Sequence, residues 1–367
     1  MLILLILCGS IAFIASAVLI RYGNTRPSHY GIQMPQRFHL GHVPRLGGAG
    51  MFIACSVGWA WMEISETLGV PNQISFKPSV ALFWWGAALI AVLGGVYEDL
   101  TQRLSARYRL LVTLLAASVA VVGLDLWIGR LGWPAMDAVW MLSHWPAMLL
   151  ALLAIAGLPH AFNLIDGYNG LAGTVALIVC FALGYVSLQV DDRQLCGVLM
   201  ALAGATAGFL VWNYPRGLLF AGDGGAYLWG VVLAIASIQL VQRHAEVSPW
   251  FPVLLLIYPV WETFFSIYRK TARGQSPGVA DALHFHQLIY RRIVRGVFHD
   301  DASRRMLMRN NRTSPFLWGF TILTVIPAVL FWHNTSVLMA FCGLFVLSYV
   351  WAYVSIVRFK VPRWLRR

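Results

Sequence analysis

The sequence contains few charged residues, and this scarcity excludes most soluble proteins. Asp, Glu, Lys and Arg make up 11% of the 367 residues, whereas 59% are hydrophobic and the mean hydropathy is +0.69. A soluble domain carries roughly 25% charged residues. The composition therefore predicts a protein that crosses a membrane several times, and we interpret residues 1–367 as a single integral membrane domain.

Cysteine is also scarce, and segments that alternate apolar with polar residues are missing. The five cysteines lie in apolar runs without the spacing of metal ligands, so neither disulfides nor a zinc site is predicted. A membrane β-barrel would need alternating strands. Helices are then the remaining elements in which every backbone N–H and C=O group is hydrogen-bonded within lipid, so the predicted fold class is all-α.

Eleven continuous apolar segments are candidates for membrane-spanning helices. A helix needs about 20 residues to cross the hydrocarbon core. The segments are 1–20, 46–62, 79–97, 108–127, 146–162, 170–190, 195–212, 218–240, 250–268, 315–332 and 335–357. The first follows no basic region and precedes no convincing cleavage site, so we expect a retained helix rather than a cleaved signal peptide.

The basic residues are divided unequally between the two sets of loops. One set holds Lys77, Arg130, Arg193 and Arg243, whereas the other set and the C-terminal tail hold 23 of the 27 Lys and Arg residues. In membrane proteins the cytoplasmic loops carry the excess of Lys and Arg. The division therefore predicts that the N-terminus lies outside and the C-terminus in the cytoplasm. This distribution explains the net charge of +12, so the charge does not indicate a nucleic-acid-binding protein. The longest cytoplasmic loop is predicted at 269–314.

Acidic and amide residues cluster at the cytoplasmic ends of these segments. The clusters are Gly95–Asp99, Asn163–Gly170, Ala221–Gly225 and Asp281–His286, and Glu262 lies about two turns from the same end of the ninth segment. Carboxylates near hydrocarbon persist mainly where they face protein, ions or a watery cavity. Their convergence on one face predicts a metal-assisted active site at the membrane surface.

The residue types in three clusters indicate their chemistry. Asp223 lies among glycines, which permit close backbone approach, so it is the best candidate metal ligand, with a plain turn as the alternative. Asn163 and Asp166 share one face if their segment is helical, which favours nucleotide-sugar binding or catalysis; a helix cap is the alternative for Asp166. Glu98 and Asp99 are adjacent, so on a helix end they point about 100° apart.

Histidine and arginine residues supply the candidate phosphate-binding groups. His284 and His286 lie on one loop beside Arg291, and neutral imidazoles can donate hydrogen bonds to a diphosphate. No further Cys or His stands at zinc-ligand spacing. An alternative for Arg291 is contact with anionic headgroups. The other basic candidates are Arg45 and His39, with Arg103 and Arg107 as weaker ones.

At these clusters, and at Pro35–His39 and Pro44–Gly48, the sequence resembles the polyprenyl-phosphate N-acetylhexosamine-1-phosphate transferase superfamily. This superfamily includes the phospho-N-acetylmuramoyl-pentapeptide translocase and the undecaprenyl-phosphate GlcNAc-1-phosphate transferase. The resemblance covers nearly the whole chain. Three positions depart from the family pattern: Glu98 replaces an Asp, Asn169 replaces an Asp, and Gln287 replaces a His.

The resemblance implies an enzyme that transfers a sugar 1-phosphate from a UDP-N-acetylhexosamine to undecaprenyl phosphate and releases UMP. It implies Mg²⁺, or Mn²⁺, as cofactor, a multi-pass location in the bacterial inner membrane with a cytoplasmic active site, and a first step in surface polysaccharide or O-antigen synthesis. Membrane lipids and a second copy of the chain are the further expected partners.

The resemblance also implies site residues at the positions of this sequence that match the family's motifs. The implied catalytic residues are Glu98, Asp99, Asp166 and Asp223, with Asp223 and Asp99 as metal ligands. The implied substrate-binding residues are Asn163, Asn169, His284, His286, Arg45, His39 and Arg291.

Two other functions are compatible with the motifs. A secondary transporter would use the carboxylates for ion coupling, but such proteins tend to contain internal repeats, and none is visible here. A catalytically silent scaffold is the other alternative, motivated by the three departures. The route of transfer also stays open between direct attack by the lipid phosphate, which we favour, and a covalent intermediate on an Asp.

Overall fold

The structure is a computed structural model that describes residues 1–23, 43–67, 77–275, 283–294 and 296–358, and this part of the chain is all-helical, without a strand. The predicted all-α fold class is confirmed. The helices are α1 (Leu2–Gly23), α2 (Gly47–Thr67), α3 (Pro78–Thr101), α4 (Ala106–Gly123), α5 (Pro134–Trp140), α6 (His144–Ile165), α7 (Leu171–Gln189), α8 (Arg193–Asn213), α9 (Gly222–Arg243), α10 (Trp250–Leu255), α11 (Ile257–Thr271), α12 (Phe285–Leu288), α13 (Ala302–Leu330) and α14 (Thr335–Val357). A π-helix, Ile289–Ile293, continues α12.

Helices occupy all eleven predicted apolar segments, and nine of the described helices are long and apolar enough to cross a membrane. The other two segments correspond to α2 and to the pair α10 and α11, which is divided at Leu256. Pro259 explains this division, because it has no N–H to bond to the carbonyl group one turn earlier. The ninth predicted segment is therefore two short helices.

The predicted loop 269–314 is more ordered than its composition indicates. It contains α12, the π-helix and the first thirteen residues of α13. The Asp301 side chain begins α13 by accepting hydrogen bonds from the backbone N–H groups of Ser303 and Arg304. The described part of the predicted loop therefore contains helices, because a polar, Arg-rich stretch extends the apolar helix of the tenth segment by more than three turns. Its cytoplasmic location stays a prediction.

Helix α9 lies at the centre of the helix bundle. Its residues are buried from Gly222 to Leu240, and it packs against α2, α3 and α6. Glycines at three contacts allow backbones to approach closely: a Cβ atom on Gly48, Gly95 or Gly230 would lie within 2.4 Å of backbone atoms of the neighbouring helix. The beginning of α9 is therefore held between the first turn of α2 and the last turns of α3.

Candidate active site

Backbone hydrogen bonds join the Pro44–Gly48 motif to the beginning of α9. The N–H of Phe220 donates to the Pro44 carbonyl, and the N–H groups of Gly47 and Gly48 donate to the carbonyls of Phe220 and Ala221, each over 2.9 Å. These bonds bring two sequence motifs together that are more than 170 residues apart. Arg45 consequently lies beside the first turn of α9.

Gly222 is required where these segments meet. Its φ is +70°, a conformation that favours glycine, and a Cβ atom there would lie 2.3 Å from the Arg45 carbonyl oxygen and 2.3 Å from Asp99 Oδ2. The residue thus lets α2 and α3 approach α9 at the same point. The glycines around Asp223 serve this packing, in agreement with the close approach that the sequence predicts.

Asp99 accepts hydrogen bonds from the N-terminus of α9. Its Oδ1 and Oδ2 accept from the backbone N–H groups of Asp223 and Gly224 over 3.0 and 3.1 Å, and Arg45 Nε lies 3.6 Å from Oδ1. Its side chain is only 1% exposed. A carboxylate at this position satisfies free N–H groups and interacts favourably with the helix dipole. Asp99 therefore fixes the position of Asp223.

Glu98 has a different role from its neighbour. Its Oε2 accepts the backbone N–H of Leu104 over 2.7 Å and so stabilises the turn between α3 and α4. The predicted divergence of Glu98 and Asp99 at a helix end is confirmed, because the two carboxylates bind different segments. The structure does not bring Glu98 into contact with Asp223, and its longer side chain suits the turn that it stabilises.

Asp223 is the centre of a polar cluster. It lies in the first turn of α9 rather than on an isolated turn. Its Oδ1 accepts a hydrogen bond from Asn163 Nδ2 over 2.7 Å, and its Oδ2 lies 3.4 Å from Arg109 Nη1 and 3.5 Å from the Tyr227 hydroxyl. The side chain is 8% exposed, whereas that of Arg109 is 33% exposed. Arg109 thus contacts both the buried carboxylate and the open side of the cluster.

Asn163 and Asp166 come from the end of α6. Asn163 lies in the last turn, whereas Asp166 follows the helix, and its N–H donates to the carbonyls of Phe162 and Asn163. Burial raises the pKa of Asp166 to about 7, Arg45 opposes this shift, and the charge of Asp223 adds to it. The pair therefore adds one amide and one readily protonated carboxyl group to the cluster.

The His motif is held by a carboxylate from another helix. His284 Nδ1 lies 3.1 Å from Oε1 of Glu262 in α11, and the same oxygen accepts the N–H of Phe285 over 3.2 Å. The Gln287 side chain completes a capping box with His284 at the start of α12. The Gln at the position of the missing histidine therefore stabilises the fold of the motif.

His286 connects the motif to the Asp166 loop. Its ring stacks on that of His284 at 5.4 Å and contacts Tyr168 edge to face at 5.5 Å, and a Cβ atom on Gly167 would lie 3.1 Å from its Nε2. Burial, with a smaller contribution from His284, lowers the pKa of His286 to about 3, although Glu262 opposes this shift. Within the described residues its Nδ1 has no hydrogen-bond partner.

Asn169 lies in a separate amide network. Its N–H and side-chain Nδ2 donate to the Oδ1 atoms of Asn310 and Asn311 in α13 over 2.8 and 3.0 Å, and Ser314 donates to its carbonyl. These bonds attach the α6–α7 loop to α13. A carboxylate could not donate to Asn311, which explains physically why an amide suits this position. The contacts give Asn169 a structural role, and its predicted substrate binding stays a prediction.

The remaining predicted residues have mixed outcomes. His39 and Asp281 lie outside the described residues. Arg291 lies in the π-helix, near enough to Tyr168 to influence that phenol electrostatically, but the structure gives it no contact with Asp223. The sequence did not indicate Arg109 as a site residue. It lies in the same basic stretch as Arg103 and Arg107, and only its place along α4 brings it, and not them, to Asp223.

The donor atoms around Asp223 are compatible with a magnesium ion. Among the described residues no group of three or more His, Cys, Asp or Glu is arranged to hold a metal. Mg²⁺, however, uses one or two protein carboxylates and completes its shell with water and phosphate oxygens. Asp223 Oδ1 keeps a lone pair beyond its hydrogen bond from Asn163, whereas Oδ2 already accepts from Arg109 and Tyr227. Asp223, with Asp99 behind it, fits this requirement.

Comparison with known proteins bears on the same residues. The family model for glycosyl transferase family 4 matches residues 81–241, which include Asp99, Arg109, Asn163, Asp166 and Asp223. The relationship to the polyprenyl-phosphate N-acetylhexosamine-1-phosphate transferases is confirmed. The chain is therefore related to this transferase superfamily over the residues that build the cluster.

Individual relatives support this relationship over longer segments. The chain is 27% identical over 245 residues to a probable undecaprenyl-phosphate N-acetylglucosaminyl 1-phosphate transferase of Bacillus subtilis, with 66% of this chain and 64% of the relative covered. It is 32% identical over 221 residues to a phospho-N-acetylmuramoyl-pentapeptide-transferase of Moorella thermoacetica, with 58% and 66% covered. It is 25% identical over 288 residues to an undecaprenyl-phosphate alpha-N-acetylglucosaminyl 1-phosphate transferase of Yersinia pestis, with 76% and 73% covered. The match to the first two relatives thus spans slightly less than two thirds of their length.

Proposed function

We propose that the protein transfers a sugar 1-phosphate, from a UDP-N-acetylhexosamine, to undecaprenyl phosphate and releases UMP. The observation that carries this proposal is the convergence of Asp223, Asn163, Arg109, Asp99 and Arg45, contributed by five separate segments, at one end of α9. Relatives whose names describe this type of reaction match the chain over 245 and 288 residues. Carboxylates, an amide and arginines together suit two phosphorylated substrates.

The proposed reaction exchanges one phosphoanhydride bond for another. An oxygen of the lipid phosphate attacks the phosphorus that carries the sugar, a new P–O–P bond forms, and the bond to UMP breaks. A phosphate monoester is already largely ionised near neutral pH, since its second pKa is about 6. Direct attack then depends on alignment and charge neutralisation more than on a strong base.

Arginines at the edge of the cluster are the proposed phosphate-binding groups. Arg45 and Arg109 each contact a buried carboxylate, and their side chains are 32% and 33% exposed. A guanidinium presents several N–H donors in a planar fork, so it can keep one contact with Asp99 or Asp223 and offer the other donors to a phosphate. The carboxylates would thereby hold both arginines ready for an anionic ligand.

Magnesium is the proposed cofactor, held by Asp223 with Asp99 nearby. When bound, it would neutralise diphosphate charge and favour departure of UMP. Asn163 holds the Asp223 carboxylate by its 2.7 Å hydrogen bond, which limits the orientations of that group. Asn163 and Asp166 are the proposed contacts for the nucleotide sugar, together with His284 and His286.

The proposed location is a bacterial inner membrane, with the cluster on the cytoplasmic side and eleven crossings if α2 and α10–α11 also span. The ends of α3 and α6 and the beginnings of α2, α4 and α9 meet at the cluster, as an alternating arrangement of helices requires. The loops at these ends belong to the set that, together with the segment 269–314 and the C-terminal tail, holds 23 of the 27 Lys and Arg residues. The positive-inside rule therefore supports a cytoplasmic cluster.

The test is a transfer assay with the full chain in lipid nanodiscs. The protein is incubated with undecaprenyl phosphate, Mg²⁺ and each of several UDP-N-acetylhexosamines, and UMP and sugar lipid are measured. Asp223→Asn should greatly reduce both products, whereas Asp191→Asn should not, because the Asp191 side chain is 83% exposed and pairs with Arg193 away from the cluster. Absence of product from every donor with folded protein would contradict the proposal and favour a scaffold.

A further inference from the structure

His160 is a titratable residue that the transfer scheme does not use, although it lies one turn before Asn163 in α6. Ionisable side chains inside membrane helices are rare and usually mark function. Its Nε2 lies 3.0 Å from Oγ1 of Thr113 in α4, and its ring meets that of Tyr227 in α9 edge to face, with the centroids 5.5 Å apart. His160 therefore contacts two neighbouring helices at once.

Thr113, His160 and Tyr227 form a layer of side chains, the His160 layer, one turn away from the Asp223 cluster. Each of the three helices supplies one residue to the cluster and one to this layer, at a spacing of three or four residues. The pairs are Arg109 with Thr113, Asn163 with His160, and Asp223 with Tyr227. Residues three or four apart lie on the same face of a helix. The contacts in the layer therefore determine how each helix presents its cluster residue.

The position of Arg109 depends on helix packing at a distance. Helix α4 packs mainly on α3 and α6 and touches α9 little. Arg109 nevertheless reaches across to Asp223 of α9, over 3.4 Å. Its position relative to Asp223 therefore depends on how α4 lies on α6, and the contact between Thr113 and His160 joins these two helices. A small rotation of α4 would move the guanidinium out of hydrogen-bond range.

Helix α6 packs closely against α9 at the same level. A Cβ atom on Gly230 would lie 2.3 Å from Cα of Pro159, the residue before His160. The two backbones are thus in contact beside the His160 layer. Tyr227 continues the contact toward the cluster, because its hydroxyl lies 3.5 Å from Asp223 Oδ2, and His160 is near enough to Asp223 to interact with it electrostatically.

The Thr113 hydroxyl does not need His160 for its own hydrogen bonding. It donates to the Leu110 carbonyl over 3.0 Å, within the same helix. Loss of the imidazole would therefore leave no buried hydroxyl unpaired, which is the costly outcome for stability. The contact between Thr113 and His160 consequently serves the alignment of α4 on α6 more than the stability of either helix.

We infer that His160 is a positioning residue of the active site, which aligns α4 and α6 on α9 so that Arg109 and Asn163 contact the same Asp223 carboxylate. The inference rests on the proposed function, because the aligned groups are those that would bind the two phosphorylated substrates. His160 acts through the helices that carry Arg109 and Asn163 and not by contact with substrate.

The kinetic test compares His160→Phe with His160→Gln in the nanodisc transfer assay. Phe keeps a ring against Tyr227 but cannot bond to Thr113, and we expect kcat/KM for the UDP-sugar to fall about 10–100-fold, since a small misplacement far from the chemistry can have such an effect. Tm should change little. Gln can donate to or accept from Thr113 and should keep most of the activity. A fully active His160→Phe, or a His160→Gln as impaired as His160→Phe, would overturn the inference.

Thr113→Val tests the other side of the contact, and it carries the kinetic test if His160→Phe does not fold. It removes the hydroxyl and keeps the branched shape, so kcat/KM should fall in the same direction with Tm retained. The matched control is Ser118→Ala, because the Ser118 hydroxyl donates to the Leu114 carbonyl of the same helix over 2.8 Å and contacts no other helix among the described residues. A loss in Ser118→Ala as large as that in Thr113→Val would overturn the inference.

A double variant tests whether the effect passes through Arg109. In an Arg109→Ala background, Thr113→Val should cause no additional loss of kcat/KM, since the alignment of α4 then has no guanidinium to place. An additive loss would overturn the inference.

A structural arm needs no turnover. Electron cryomicroscopy of the full chain in nanodiscs, with a bound antibody fragment, shows the contacts of Asp223 directly. We expect the contact with Arg109 in the unsubstituted chain and in His160→Gln, and its loss in His160→Phe. An unchanged contact in His160→Phe would overturn the inference. The expected loss of contact, combined with an unsubstituted chain that is inactive on every donor, would contradict the proposed function alone.

Discussion

The two ends of α9 both carry buried polar contacts, but they use them differently. At the C-terminal end, the Arg130 guanidinium donates to four backbone carbonyls, among them those of Val241, His244 and Val247, over 2.5 to 3.1 Å. Asp192 pairs there with Arg243 and His244 at 3.3 and 3.2 Å. Free carbonyls and a negative helix end need such cations, so this end is fully explained by stability.

The N-terminal end contains more charge than the helix requires. Asp99 already satisfies two free N–H groups of α9. Asp223 adds a second carboxylate, held by Asn163 and Arg109, while Arg45 and Arg109 keep about a third of their side chains exposed. An exposed edge that carries more charged groups than helix capping needs indicates a binding site. A cluster of charged residues at a helix end therefore indicates function only where it exceeds the number of groups that cap the free N–H or C=O groups of that end.

The largest expected effect separates the two ends directly. Asp223→Asn keeps a polar side chain but removes the charge at the N-terminal end, so we expect transfer to fall by about 10²–10³-fold while the folded protein is retained. UMP release, measured beside thermal unfolding in nanodiscs, checks this. Transfer that stays within tenfold of the unsubstituted chain would show that Asp223 only stabilises α9.

Close backbone contact at the N-terminal end gives the second prediction. A Cβ on Gly95 would lie 2.4 Å from the backbone N of Gly224, whereas one on Gly86 of the same helix would lie 3.8 Å from its nearest neighbour, Val119. Gly95→Ala should therefore lower Tm and reduce activity by displacing the first turn of α9. Gly86→Ala is the matched control and should be neutral or slightly stabilising, since Ala favours helix by up to about 1 kcal/mol.

The C-terminal end should respond in stability rather than in chemistry. Arg130→Ala leaves several backbone carbonyls without their donor, which we expect to cost about 1–3 kcal/mol. Its kcat and KM, measured below the lowered Tm, should match those of the unsubstituted chain. Arg130→Lys should restore part of the stability. A large change in KM would contradict the contrast between the ends.

The smallest expected effect concerns the amide network. Asn169→Asp replaces the donor to Asn311 by a carboxylate, and Asn311 cannot simply reverse its amide, because its Nδ2 donates to the Pro215 carbonyl. We expect a loss of about 1–2 kcal/mol in stability and no gain in kcat. Thermal unfolding and initial rates check both. An increase in kcat would assign Asn169 to the substrate site after all.

Much of the site was predictable, because charge is expensive near an apolar bundle and therefore marks function. The acidic motifs at Asp99, Asp166 and Asp223 were found from residue type and from their position beside apolar segments. The roles within the motifs were not predictable. Whether an acid caps a helix, closes a turn or faces a ligand depends on neighbours distant in sequence, as the 2.7 Å bond from Leu104 to Glu98 illustrates.

The sequence by itself determined the helical class, the apolar segments and the residues that supply chemistry, because composition and continuous apolar runs leave few alternatives in a membrane. Only the tertiary structure decided which of these residues contact one another. It joined Pro44–Gly48 to the start of α9, divided the ninth segment at Leu256, and brought Glu262 to His284. These pairings depend on which helices pack together. Glycines in the sequence indicate that a close approach is possible, but they do not specify the partner.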